Sequence, residues 1–234
     1  MLASGRHQGA IFPYWKALGL ELPVICSNGA CLFDFNSNWP IRHTPLTKPQ
    51  AFRVLELLRK HQIRCMVYAD EVMGYESVSH HREQLRMWAA SLDQAVQPKM
   101  LPVEDLEDLI GAAHHVWKFD TFSDQLDSLK MFASEIAEIA ELDCEWSSEF
   151  AFDIIQRGNS KGARLVEWLA LQGLDRSEVI VFGDHYNDLS MFRVAGTAVA
   201  MANAVDSIQS VADWVTGSND SSGIADALRR FVAP

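Results

Sequence analysis

Two carboxylates and an amide fall within five residues in Gly183-Asp184-His185-Tyr186-Asn187-Asp188, directly after the apolar run Val179-Ile180-Val181-Phe182. The run predicts a strand buried on both faces. The carboxyl ends of parallel strands are where open α/β sheets place ligands. Oxygen donors there can hold magnesium, which takes a few protein oxygens and fills its shell with water and substrate phosphate. Asp184 is the candidate metal ligand, and Gly183 lets the chain turn sharply after the strand. The competing reading is a plain strand-to-helix turn capped by Asn187 or Asp188.

A second candidate is Gly158-Asn159-Ser160-Lys161-Gly162. Asn159 or Ser160 can cap the following helix and so put Lys161 in its first turn. A cation is unfavourable there unless an anion sits at the helix start, where backbone N–H groups also point. Otherwise Lys161 reads as a solvated surface lysine. The segment is not a GxxxxGK[ST] phosphate loop. At the start of the chain, Ala3-Ser4-Gly5-Arg6-His7 precedes a helical segment. Ser4 and the Gly5 backbone can bind phosphate, or Ser4 can cap the helix. In Ser27-Asn28-Gly29-Ala30 the Asn-Gly pair favours a hairpin turn, and Asn28 can also direct its amide into a cleft. His7, His80, His81, His114 and His115 show no ligand spacing and read as surface or partly buried residues.

These residues need elements to hold them. Short apolar runs alternate with amphipathic stretches, which indicates an α/β fold. Helices are predicted over 8–19, 49–60 and 160–172, and strands at 24–26, 31–33, 179–182, 198–201 and 214–215. The middle has a different texture. Strand-like pieces at 65–68, 116–119, 144–146 and 152–155 mix with helical stretches near 81–91, 103–112 and 124–139, as in an α+β insert. Trp117 and Trp146 read as core of this insert rather than as a stacking platform.

Composition narrows the partners. Lys and Arg total 20 against 31 Asp and Glu, a formal net charge of -11. Such a surface disfavours nucleic acid and anionic membranes. No apolar run approaches the ~20 residues of a membrane span. Cys26, Cys31, Cys65 and Cys144 form neither a CxxC pair nor a zinc pattern, and are expected to be reduced thiols of a cytoplasmic protein.

In order, the segments ASGR, NGA, GNSKG and GDHYND, with AGTAVAMANA and VTGSND after them, resemble the Cof-type branch of the haloacid dehalogenase superfamily over essentially the whole chain. The stretches RHQGAIFPYWKALGLELPVICSNG, VWKF, CEWS and GNSKGARL resemble members that hydrolyse pyridoxal phosphate. The resemblance implies a Rossmann-like core (1–45 and 156–234) with an inserted α+β cap (46–155). It implies a magnesium-dependent phosphatase of small phosphorylated metabolites, pyridoxal phosphate or sugar phosphates, working through an aspartyl phosphate. By resemblance, Ser4 and Gly5 bind the transferring phosphoryl group, Lys161 neutralises its charge, and Asp184 ligates magnesium. Asn187 contacts phosphate, Asp188 steadies Lys161 or a metal-bound water, and Asn28 faces the leaving group.

The family pattern also has a strand ending in DxDGT, whose first Asp is the nucleophile and whose second is the acid/base. No DxDGT occurs among the 234 residues, and neither Asp34 nor Asp70 has that context. The chain is therefore expected to lack a central βα unit, through an internal start site or a true truncation. As given it is expected to be inactive and poorly stable, a remnant that binds phosphate or a partner at most.

Overall fold

The computed structural model describes residues 1–76, 80–148 and 150–231, with 80–82 described by backbone alone. Contacts divide the chain into two compact units, Met1–Asn159 and Ser160–Pro234.

The first unit runs α1 (Gln8–Ala17), β1 (Val24–Cys26), β2 (Cys31–Asp34), β3 (Trp39–His43), α2 (Lys48–Lys60), β4 (Arg64–Ala69), β5 (Val72–Tyr75), α3 (His80–Ala90), β6 (Lys99–Pro102), α4 (Leu106–Ala112), β7 (Val116–Phe122), α5 (Leu126–Ala137), β8 (Leu142–Ser148) and β9 (Ala151–Gln156). β1, β2 and β3 form an antiparallel meander. The other strands form a sheet in the order β6-β5-β4-β7-β9-β8.

Local chemistry sets these elements. Thr47 and Gln50 form a reciprocal capping box at the start of α2, Pro49 sits in its first turn, and Arg59 and Lys60 lie in its last. Each choice suits its end of the helix. The apolar stripe of α2 (Val54, Leu55, Leu58) joins Leu106 and Ile110 of α4 and Leu129, Phe132 and Ile136 of α5. Together they cover one sheet face, against Val67, Phe119, Phe152 and Ile154. A second cluster joins Met66, Tyr68, Met73, Tyr75 and Trp117 to Ala10 and Ile11 of α1 and to Val24, Cys26, Cys31 and Phe33 of the meander. Residues 1–45 thus share a unit with 46–155. Trp117 is a fully buried core residue, and Trp146 packs against the first cluster, as expected of an insert core.

The second unit holds α6 (Lys161–Gln172), β10 (Ile180–Gly183), α7 (Leu189–Phe192), β11 (Thr197–Ala200), α8 (Asp206–Gln209), β12 (Trp214–Val215) and α9 (Gly223–Phe231). β10, β11 and β12 form a parallel sheet in chain order, which leaves β10 at its end. Among the described residues no helix is long and apolar enough to cross a membrane. The four cysteines form no disulfide.

Candidate active site

The site residues expected from the sequence fall into two groups, one in each unit. In the second unit, β10 delivers the chain to Gly183, where it turns back on itself. A Cβ at Gly183 would lie 2.5 Å from the Asp188 Cβ and 2.8 Å from its carboxylate, so only glycine admits this turn. Asp188 Oδ2 accepts from the backbone N–H groups of Asp184 (3.0 Å) and His185 (3.2 Å). Its other oxygen, Oδ1, accepts from Lys161 Nζ at 2.7 Å, and Lys161 also donates to Asn187 Oδ1 at 2.9 Å. Asp188 thus caps the turn with one oxygen and holds Lys161 with the other.

Lys161 is not the solvated lysine offered as its competing role. It is 5% exposed, because α6 presses on α7 at Gly162. A Cβ there would meet the Ser190 carbonyl oxygen at 2.1 Å, and Gly162 N–H donates to Ser190 Oγ. Ser160 caps α6 by accepting from Ala163 N–H, as its residue type predicts. Asn159 instead donates to the Thr44 carbonyl within the first unit.

Asp184 is exposed at the carboxyl end of β10. Asn203 Nδ2 lies 3.4 Å from its Oδ2, and Asn203 Oδ1 accepts from Asn219 N–H at 2.8 Å. Stretches 195–204 and 215–220 thus meet at this aspartate. Among the described residues no group of three His, Cys, Asp or Glu side chains forms a metal cage. An exposed carboxylate at a strand end does fit one ligand of an open magnesium site, which needs only one or two carboxylates.

In the first unit, Leu2–Ser4 runs beside β1, with Ser4 N–H donating to Ile25 O at 2.8 Å. Ser4 O then accepts from Asn28 N–H at 3.3 Å, so the two candidate segments touch. Ser4 Oγ accepts from Arg6 N–H at 3.1 Å. The helix cap suggested for Ser4 falls to His7, whose Nδ1 accepts from Gly9 N–H at 3.1 Å. This fixes the tautomer: the proton is on Nε2, 3.1 Å from the Asp70 carbonyl. His7 is fully buried, which corrects its reading as a surface or partly buried residue. A capping imidazole must sit over its own helix end, here under Tyr68. Burial lowers its pKa to about 4, with the Asp70 carbonyl contact opposing. His114 is exposed and His115 half-buried; the side chains of His80 and His81 lie outside the described residues.

Asn28 sits in the turn between β1 and β2, in the left-handed region (φ 55°, ψ 34°), and is fully buried. The hairpin turn is found as expected; the amide is directed to a buried carboxylate within the first unit. Its Nδ2 donates to Asp153 Oδ2 at 2.7 Å. That same oxygen lies 2.7 Å from Lys118 Nζ, which stands 4.6 Å over the Tyr68 ring. Burial opposes the Lys118 charge, but the carboxylates of Asp153 and Asp120 outweigh it and hold the ammonium above its ordinary range. Arg6 rests its guanidinium over the rings of Trp88 (5.3 Å) and Tyr14 (5.7 Å). Sequence reasoning missed Lys118, Asp153 and Arg6. A signal existed for the lysine: a lone cation inside Val116-Trp117-Lys118-Phe119, where a buried strand otherwise excludes charge.

The family model for haloacid dehalogenase-like hydrolases matches residues 1–228. The pyridoxal phosphate phosphatase YbhA of Escherichia coli is 36% identical over 228 residues, covering 97% of this chain and 84% of that protein. The 5-amino-6-(5-phospho-D-ribitylamino)uracil phosphatase YwtE of Bacillus subtilis is 26% identical, covering 92% of this chain and 80% of that protein. A haloacid dehalogenase-like hydrolase from Bacteroides thetaiotaomicron superposes with a TM-score of 0.83 at 25% identity, over 98% of this chain and 85% of that one. The α/β architecture, the family model over nearly the whole chain and these phosphatase relatives lead to one conclusion: the chain belongs to the haloacid dehalogenase-like hydrolase family, as a member of its phosphatases.

Proposed function

We propose that this protein serves as a magnesium-dependent phosphatase of small phosphomonoesters in the cytoplasm, with pyridoxal 5′-phosphate the first candidate substrate and sugar phosphates next. The observation that carries this reading is the buried Lys161–Asp188 pair behind Asp184 at the end of β10. A lysine fixed this way is a preorganised positive charge, and phosphoryl transfer depends mainly on such placement. In this reading 1–45 and 156–234 act as the core domain and 46–155 as the cap.

Each residue has a role in the chemistry. Lys161 offsets charge on the transferring group, and Asp188 holds Lys161 in place. Asn187, the Ser4 hydroxyl and the Gly5 N–H contact phosphate oxygens. Asn28 faces the leaving group. Asp184 would hold magnesium, which when bound supplies positive charge to the phosphate. The nucleophile is the first Asp of a DxDGT segment. It attacks phosphorus as the ester P–O bond breaks, the second Asp protonates the leaving oxygen, and water then hydrolyses the acyl phosphate. The 234 residues contain no DxDGT, which favours a second reading for the chain as given: it binds phosphate without turning it over.

The experiment compares the 234-residue chain with a form extended at its N-terminus by a designed strand ending in DxDGT. The second form should hydrolyse pyridoxal phosphate, lose activity to a chelator and recover it with magnesium. Asp184→Ala should lower its turnover by about three orders of magnitude or more. Undiminished turnover in that variant would remove Asp184 from the mechanism. Turnover by the 234 residues alone would show that another residue is the nucleophile.

A further inference from the structure

A cleft of about 910 Å³ opens in the first unit, lined by residues of the β2–β3 hairpin, the β4–β5 turn, β6 and the start of β7. Its lining includes none of the residues assigned above to phosphate chemistry. Its volume lies in the range of small-molecule sites. Four of the lining residues carry aromatic rings: Phe33, Trp39, His115 and Trp117. His115 lies flat on Trp117, with ring centroids 4.7 Å apart and planes 7° from parallel. Trp39 is 62% exposed, a large ring left in solvent.

The polar groups here are mainly acceptors. Asp70 is fixed in the left-handed region (φ 42°), and its carbonyl accepts from the His7, Gln8 and Trp117 side chains. Its carboxylate Oδ1 accepts from His115 N–H (2.9 Å) and His115 Nδ1 (3.2 Å), and Oδ2 from His114 N–H (2.8 Å). A carboxylate offers roughly four acceptor sites, so Oδ2 keeps one. The Asp70 side chain is 33% exposed, and among the described residues no Lys or Arg pairs with it. Because His115 gives its Nδ1 proton to Asp70, Nε2 of the neutral ring is an acceptor as well. The second carboxylate, Glu71, is held by Lys99 at 2.6 Å, so the lysine lining the cleft is already paired. Two carboxylates thus face one lysine, and the charge left over is that of Asp70.

We propose that this cleft binds an organic cation: a primary ammonium on a flat apolar body, its N–H groups served by Asp70 Oδ2 and His115 Nε2 and its body resting on the aromatic rings. An ammonium is attracted both to a carboxylate and to ring faces. An anionic ligand would meet Asp70 with its lysine already committed, and a neutral one would leave that charge unanswered. The inference uses none of the residues of the phosphatase reading and stands apart from it.

The test titrates the 234-residue chain, and in parallel the form extended by DxDGT, with 1-naphthylmethylamine and with 1-naphthalenemethanol, which has the same body without the charge. The readout is Kd by calorimetry. The amine should bind about tenfold tighter than the alcohol. Asp70→Asn keeps an oxygen for His115 and a residue type that tolerates the left-handed backbone; it should erase that preference. Trp39→Ala, on an exposed side chain, should weaken the amine by several-fold. Lys99→Ala frees Glu71 and should tighten the amine by roughly threefold, whereas Lys60→Ala, whose lysine pairs with Glu135 and is absent from the cleft lining, should leave it unchanged. Equal Kd values for amine and alcohol overturn the proposal. So does an amine affinity that survives both Asp70→Asn and Trp39→Ala, since the amine then sits elsewhere. Equal tightening by Lys99→Ala and Lys60→Ala would reduce the effect to overall charge and overturn it too. If Asp70→Asn melts far below the parent, the Trp39 and Lys99 variants decide.

Discussion

Among the described residues there are two buried lysine–aspartate pairs of the same length, 2.7 Å, one in each unit. Lys161–Asp188 belongs to a local turn: the aspartate caps the backbone of its own loop with one oxygen and holds the lysine with the other. Lys118–Asp153 belongs to a sheet: its partners lie on adjacent strands, and the same aspartate oxygen also accepts from the distant Asn28. The comparison separates two ways of stabilising a charge in an interior. The first ties it to main-chain N–H groups that cannot leave. The second ties it to other side chains, so its orientation depends on all of them together.

The largest expected difference between the pairs is catalytic. In the form carrying DxDGT, Lys161→Ala should cost about three to four orders of magnitude in kcat, because charge on the transferring phosphoryl group is left uncompensated. Lys118→Ala should act mainly on stability, because it leaves the buried Asp153 carboxylate without its cation. Steady-state kinetics on both variants checks this, and equal losses in kcat would erase the distinction.

The next difference is in stability. Asp153→Leu and Asp188→Leu each strand a buried lysine, at a cost of roughly 3–5 kcal/mol. Asp188→Leu also frees two backbone N–H groups, so it should be the worse of the two. Asp188→Asn, which keeps an acceptor for the turn, should recover part of that extra loss. Urea denaturation orders the three variants, and an Asp188→Leu protein no less stable than Asp153→Leu would mean that the cap contributes little.

The smallest effect concerns acid. His7 packs edge-on against Tyr68, whose ring also carries Lys118 over it. Its pKa is about 4 in the fold against an ordinary 6.5, so the unfolded chain takes up the proton first as pH falls. The His7 contribution is therefore complete above pH 6.5, declines between 6.5 and 4, and is spent below that. At about 1.4 kcal/mol per pH unit the whole loss is roughly 3 kcal/mol. Denaturation curves at several pH values in this window measure it. His7→Asn keeps a capping side chain and should flatten that slope; an unaltered slope would assign the acid sensitivity to another group.

How legible each pair was follows from this geometry. Asp184, Asn187 and Asp188 share one loop behind an apolar strand run, and Lys161 opens the helix packed beside it; spacing singled them out as candidates while leaving a turn cap and a surface lysine open, and the resemblance supplied their roles. The elements carrying strong periodicity were legible too: the helix expected at 49–60 is found at Lys48–Lys60, and the strand expected at 179–182 at Ile180–Gly183. Strands at the margins were not foreseen. β3 contains Pro40, and β6 is largely exposed and ends in Pro102, so neither shows a buried strand's pattern. Asp153 was hidden for a different reason. Phe152-Asp153-Ile154-Ile155 reads as a strand from its apolar members, and only the β7–β9 pairing reveals that the aspartate points to a lysine.

The turn after β10 works as a ruler. Asp188 can reach the N–H groups of Asp184 and His185 with one oxygen and Lys161 with the other only when the intervening chain has its present length. A conservative exchange at Tyr186, whose side chain is exposed, leaves the ruler intact. Inserting or deleting one residue between Asp184 and Asp188 moves the carboxylate off both sets of partners at once. The loop can thus vary freely in the composition of its outward positions while having no freedom in length, the reverse of the usual tolerance of surface loops.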